Sequence, residues 1–229
     1  MLTAIIVAAG SSRRIGFDKL FETIAGKPVI AHTIDAFELA DSVAEIIVVT
    51  RKDRCNEIRK ISRDQGFKKV QAIITGGEYR QDSVRAGLEN LSRDARYVAI
   101  HDAARPLVTP EQIDRVFEQC QMHDAAALAE RVRDTLKHAG VDLVVTGSVD
   151  RHQLYAMQTP QIFKRGLIEE AYRAIGEGVL ATDEVSAVER LGRKVFLVPN
   201  DDINFKITYP RDLPLAEFVL NQRTQRGPD

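Results

Sequence analysis

The sequence predicts an α/β fold: a mostly parallel, twisted sheet with helices between its strands, and one β-hairpin projecting as an arm. Three observations lead there. Short apolar runs of strand length alternate with stretches in which apolar residues recur every three or four positions. Residues 4–7 and 45–50 are apolar almost throughout, as strands covered on both faces must be. One segment breaks the rhythm. Residues 131–137 and 142–146 alternate around His138-Ala139-Gly140-Val141, which is a hairpin pattern.

Composition bounds what such a chain does. Its 229 residues are 44% hydrophobic and 28% charged, which suits one α/β domain over 1–229 with an arm at about 131–152. Thirty-two basic side chains against thirty-three acidic ones leave no broad cationic face, so nucleic acid is not an expected partner. Any phosphate must be held by local clustering. Cys55 and Cys120 stand far apart and form no ligand motif, so both read as reduced thiols. No apolar run approaches the roughly 20 residues that span a bilayer. Met1-Leu2-Thr3 runs straight into the first strand, so neither a signal peptide nor a membrane is expected, and the cytoplasm is the expected compartment.

The first strand ends in Ala8-Ala9-Gly10-Ser11-Ser12, five residues with little side-chain bulk. Such a turn lets backbone N–H groups close on an anion. Arg13, Arg14 and Lys19 follow at once. Two readings stand: a triphosphate cradle, or a strand-to-helix turn with solvated arginines. The clustered cations favour the cradle. A Walker loop needs Gly-Lys-Ser/Thr and a dinucleotide fingerprint three spaced glycines, and neither is present.

The chain then reads as a helix from Pro28 to Leu39, a strand at 45–50, a charged helix from Asp53 to Gln65 closed by Gly66, and a strand at 70–75. Gly76-Gly77 frees the backbone there, and a helix begins near Arg80 with Ser83 in its first turn, at the positive end of the dipole. A strand at 97–100 runs into His101-Asp102-Ala103-Ala104-Arg105-Pro106. Asp102 stands at the carboxyl end of a strand, where α/β sheets place ligands, and could accept from a hydroxylated substrate or help hold Mg²⁺. An ion pair between Asp102 and Arg105 is the competing reading. His101 reads as a packing residue, since no nucleophile neighbours it.

Thr109-Pro110 opens the next helix, and 124–130 reads as a strand or core segment. After the arm, residues 154–163 return to the body and a helix covers 164–175. Thr182 caps a helix that begins with Asp183 and Glu184, acids that could also place a ligand. Strands are expected at 194–199 and 204–208. The last helix opens at Pro210 and ends near Asn221, leaving residues 223–229 as a loose tail.

The ordered set Ala8-Ala9-Gly10-Ser11-Ser12-Arg13-Arg14 with Lys19, Gly76-Gly77 with Arg80 and Ser83, His101 to Pro106, Arg133-Asp134-Thr135, Asp150-Arg151, Thr159-Pro160-Gln161, Thr182-Asp183-Glu184 and Asn204 to Thr208 resembles the 2-C-methyl-D-erythritol 4-phosphate cytidylyltransferase family over nearly the whole chain. The resemblance implies a Rossmann-like three-layer fold and transfer of CMP from CTP to a polyol phosphate, with Mg²⁺ bound alongside CTP. It implies catalytic roles for Arg14, Lys19, Arg151 and Lys206. CTP contacts fall on Ala8, Ala9, Gly10, Ser11, Ser12, Arg13, Gly76, Gly77, Arg80, Ser83, Asp102 and Ala103. The acceptor would meet Asp102, Arg105, Thr135, Arg151, Thr159 and Thr182. It also implies a homodimer in which the arms embrace, so that Thr135 and Arg151 reach the partner's site. The family usually has Pro before the loop lysine; here the residue is Asp18.

The chemistry of the residues agrees with that reaction. A phosphate oxygen is already a nucleophile, so the task is to bring two anions together on fixed positive charge. A cytidylyltransferase for ribitol 5-phosphate is the nearest alternative. A nucleotide-binding module without transfer chemistry, and one half of a bifunctional enzyme, are more distant ones.

Overall fold

The computed structural model describes residues 1–10, 17–175 and 183–226. In chain order the elements are β1 (Leu2–Ala8), β2 (Thr23–Ile24), β3 (Lys27–Pro28), α1 (Val29–Leu39), β4 (Val43–Thr50), α2 (Cys55–Gln65), β5 (Val70–Thr75), α3 (Arg80–Glu89) and β6 (Tyr97–Asp102). There follow α4 (Pro110–His123), β7 (Ala125–Arg131), β8 (Leu136–Ala139), β9 (Val145–Val149), β10 (Tyr155–Lys164), α5 (Arg165–Ala174), α6 (Glu184–Glu189), β11 (Phe196–Pro199) and α7 (Asp212–Arg226).

Seven strands form one sheet in the order β11-β7-β10-β6-β1-β4-β5. β10 runs antiparallel to both neighbours, and the remaining pairings are parallel. Alternation along β1 sorts the two faces. Leu2, Ala4, Ile6 and Ala8 pack with Ile34 and Phe37 of α1, Ile58 of α2, Ile113 of α4 and Ala216 of α7. Ile5 packs on the other face with Val84 of α3, Ile168 and Tyr172 of α5 and Val188 of α6. Helices therefore cover both faces, giving three layers. A Cβ on Gly87 would stand 2.6 Å from the Ile5 Cγ2, so only glycine lets α3 lie this close to β1.

β8 and β9 pair with each other as the projecting hairpin, in a two-stranded sheet of their own. Val141, Leu143, Val144 and Val145 are exposed on it. The hairpin is shorter than the alternation suggested, because Arg131 belongs to β7 in the main sheet, paired with Tyr155.

Four other expectations are corrected. Residues 204–208 are not a strand: the Asn204 side chain bonds Gln158 and the Thr159 carbonyl, and the Ile207 N–H bonds the Ala104 carbonyl. A 3-10 turn over Lys52–Arg54 precedes α2, which starts at Cys55. α6 is capped by Asp183, whose carboxylate accepts from the Ser186 N–H at 3.0 Å, while Thr182 lies outside the described residues. α7 runs to Arg226, and Arg223 donates to the carbonyls of Leu107 and Ile203, so that end is anchored.

Candidate active site

The strand order places a crevice before any side chain is considered. From β1 the chain moves outward through β4 and β5, then crosses back to β6 on the other side of β1. Ligands of open α/β sheets bind where the order reverses, outside the carboxyl ends of the strands. There Val7 and Asp102 are register partners, and the Ala103 N–H donates to the Val7 carbonyl at 3.0 Å. Ala8 and Ala103 are buried, Ala9 is half-buried and Gly10 is exposed. Gly76 joins them from β5. A Cβ there would meet the Ser83 Oγ at 2.4 Å and the Ala9 Cβ at 3.0 Å. The small residues after β1, the glycine turn after β5 and the first turn of α3 thus converge, as the two loop motifs require. Gly77 is exposed beside Asp82, whose carboxylate accepts from the Tyr79 N–H and holds the start of α3.

Asp102 is the hub of the charged groups. Its carboxylate accepts from Arg80 Nε at 2.9 Å and from Lys206 Nζ at 2.7 Å. Arg80 turns its other two nitrogens to Glu184, at 2.6 and 2.9 Å, a bidentate pair. Glu184 is 1% exposed and also accepts from the Tyr172 hydroxyl at 2.9 Å. Two cations and two anions compensate one another, which is what permits burial of this much charge. Burial alone would raise the Asp102 carboxyl. The charges of Arg80 and then Lys206 overcome that effect and hold it well below the usual carboxylate range. Burial opposes the charge on Arg80 too, and Glu184 and Asp102 more than offset it. The competing reading, an ion pair of Asp102 with Arg105, gives way to these partners. Arg105 instead donates to the Asn204 carbonyl at 2.7 Å, and burial lowers its pKa.

The other wall comes from β10 and residues 204–207. A register shift in β10 falls between Met157 and Gln161, and Thr159 within it accepts from the Asp102 N–H at 3.1 Å. The buried Gln158 oxygen accepts from both Asn200 and Asn204, at 3.0 and 3.1 Å, and Asn204 also donates to the Thr159 carbonyl. The Ile207 N–H bonds the Ala104 carbonyl at 2.8 Å. These bonds fasten the stretch that carries Lys206 over the crevice. Lys19 Nζ donates to the Ile207 carbonyl, which brings the loop lysine to the same stretch.

Ala8, Ala9, Gly10, Lys19, Gly76, Gly77, Arg80, Ser83, Asp102, Ala103, Arg105, Thr159 and Lys206 therefore meet around one crevice. Thr135 and Arg151 do not. Both are exposed on the arm, where Arg151 donates to the Arg133 carbonyl. Ser11, Ser12, Arg13, Arg14 and Thr182 lie outside the described residues. Sequence reasoning missed Gln158, Gln161 and Tyr172. The signal was available for the glutamines: they are polar residues in a run otherwise fit for burial, and they flank Thr159-Pro160. His101 is the packing residue expected. It is fully buried, its ring 4.9 Å from that of Phe37, and burial pushes its pKa down to about 3.

Among the described residues no base stands ready beside a hydroxyl here. Ser83 Oγ donates to the Tyr79 carbonyl and Thr159 is engaged with Asp102. A crevice of small residues and held cations, at the switch point of a parallel sheet, is the equipment of enzymes that transfer nucleotidyl groups. Known proteins give the particular family. The sequence model of 2-C-methyl-D-erythritol 4-phosphate cytidylyltransferase matches residues 2–222. The enzyme of that name from Caldanaerobacter subterraneus is 43% identical, with 96% of this chain and 99% of that one aligned. The one from Dehalococcoides mccartyi is 39% identical over 96% of each. The crystal structure of 4-diphosphocytidyl-2C-methyl-D-erythritol synthase from Anaerococcus prevotii superposes with a TM-score of 0.83 at 30% identity, covering 97% of this chain and 98% of that one. The chain belongs to the 2-C-methyl-D-erythritol 4-phosphate cytidylyltransferase family and is a nucleotidyltransferase.

Proposed function

We propose that this enzyme transfers CMP from CTP to 2-C-methyl-D-erythritol 4-phosphate. An oxygen of the acceptor phosphate forms a bond to the α-phosphorus of CTP. The bond from that phosphorus to the bridging oxygen breaks, and pyrophosphate leaves. The observation that carries the reading is the convergence of Lys19, Arg80 and Lys206 on Asp102 and the residue 204–207 stretch, in a chain of this family.

The cytosine and ribose meet Ala8, Ala9, Gly10, Gly76, Arg80, Ser83 and Asp102, most of them residues with small side chains. Ser11, Ser12, Arg13, Gly77 and Ala103 complete the CTP contacts. Arg14 and Lys19 stabilise the charge that builds on the α- and β-phosphates. Lys206 and Arg151 hold the acceptor phosphate against its repulsion from CTP. Arg105, Thr135, Thr159 and Thr182 orient the polyol, with Asp102 accepting from one hydroxyl.

Mg²⁺ fits this chain as a companion of the nucleotide. No group of three or more potential metal-ligating side chains exists among the described residues. Mg²⁺ on polyphosphates needs only one or two carboxylates besides phosphate and water, and Asp102 would be the carboxylate to hold it, as the alternative to accepting from a polyol hydroxyl. When bound it neutralises part of the triphosphate charge.

Arg151 and Thr135 stand on the arm, away from their own crevice, and the arm carries exposed Val141, Leu143 and Val144. Those features support a homodimer through the arm, each copy lending Arg151 to the other's site. No described helix is long and apolar enough to cross a membrane, which fits the cytoplasm as its compartment.

Pyrophosphate release tests the reading. It is expected with CTP plus methylerythritol phosphate, and to fall sharply with ATP, GTP or UTP, or with ribitol 5-phosphate as acceptor. Release with ribitol phosphate but not methylerythritol phosphate would overturn it.

A further inference from the structure

Arg51 follows directly on the last residue of β4, whose Thr50 is the register partner of Ala8. Its guanidinium reaches both ends of the segment that carries Arg13 and Arg14. Nη1 donates to the Gly10 carbonyl at 3.2 Å, and Nη2 donates to Asp18 Oδ2 at 2.5 Å. Arg54 Nε stands 3.0 Å from the same carboxylate oxygen, with its guanidinium 4.7 Å from the Phe21 ring centre. The Asp18 side chain is only 14% exposed. Neither Asp18 nor Arg51 contacts the Asp102 cluster, and neither has a role in the reaction described above.

We propose that Arg51, through Asp18, is a positioning residue for the triphosphate. The inference rests on the nucleotide transfer proposed above. A planar guanidinium bonded to Gly10 on one side and Asp18 on the other fixes those two residues relative to each other and to the end of β4. Gly10 is one of the CTP contacts proposed above, and a contact held in place before the ligand arrives costs less to order on binding. Lys19 is the residue after Asp18, so the same tie also sets where its chain begins.

The tie makes a prediction whose sign is opposite to that of simple electrostatics. Asp18 is an anion beside a polyanion site, so on charge alone Asp18→Ala should tighten CTP. Through the tie it should weaken CTP. Asp18→Ala and Arg51→Ala are expected to lower kcat/KM for CTP by between about tenfold and a hundredfold. The KM for the acceptor phosphate should stay unchanged, and Arg51→Lys should recover only part of the loss. Calorimetric binding of Mg²⁺–CTP without acceptor should show the same weakening, and it reads the tie even if the transfer reaction itself fails. A pair that only stabilises the fold would lower the melting temperature and leave CTP affinity intact. Should Arg51→Ala fail to fold, Asp18→Ala and Asp18→Asn carry the test. Unchanged or tighter CTP binding in the Asp18 variants overturns the proposal.

Discussion

The crevice and the arm carry residues proposed for one reaction, yet they are built in contrasting ways. At the centre of the crevice charges hold one another: Arg80 bridges Glu184 and Asp102, and Lys206 sits on Asp102. On the arm Arg151 bonds only a carbonyl of the arm itself, at an exposed position, and Thr135 is exposed. The crevice is organised by its own chain and the arm is not. That difference teaches that one fold can fix the charges of its crevice while leaving the cation on its arm without a charged partner among the described residues.

The largest expected effect tests that division directly. Lys206→Ala and Arg151→Ala should each lower kcat by about 10²–10³. Mixing the two inactive proteins under conditions that exchange subunits should restore about a quarter of wild-type turnover, because half the subunit pairs are mixed and one site in each is intact. No recovery would place Arg151 outside the partner's site and remove the contrast. A smaller effect sharpens the crevice side. Glu184→Gln removes one anion from the compensated set and leaves Arg80 short of a counter-charge, so urea denaturation should report a loss of about 2–3 kcal/mol, less than a fully orphaned buried charge would cost. If stability were untouched, the cluster would not be self-supporting.

The smallest effect lies beneath the crevice and depends on pH. The His101 pKa is about 3 in the folded protein and near 6.5 in the unfolded chain. Below pH 6.5 the unfolded state binds the extra proton, so stability falls as pH falls. Between pH 7 and pH 5 the loss from this residue should be about 2 kcal/mol. Equilibrium denaturation of His101→Phe at both pH values should show a correspondingly flatter dependence, and an identical slope would refute the buried neutral state.

Much of the crevice was legible because its parts announce themselves locally. Small residues at a strand end, glycines before a helix and an Asp closing a strand each have a sequence signature. The sheet was legible for the same reason, through apolar runs such as 45–50. What escaped was non-local. That Asp102 would choose Arg80 and Lys206 over nearby Arg105 depends on α3 lying low on β1 at Gly87. Residues 204–208 have strand-like alternation, but their partners are the side chains of β10 and the loop after β6 rather than a free strand edge. Gln158 and Gln161 could be noticed as polar residues in a buried run, but their side-chain partners could not be named, because these lie between 22 and 46 residues away along the chain. Asp18, which stands where the family usually has Pro, meets Arg51 and Arg54 only in the folded chain.

β10 alone runs against the direction of the sheet. It leaves the base of the arm at Tyr155, passes Thr159 beside Asp102 and ends at Lys164, across from Tyr97. The arm's base and the contact to Asp102 thus lie on one strand, on either side of the start of its register shift. A slip of one position along that strand would turn the threonine hydroxyl to the opposite side of the sheet.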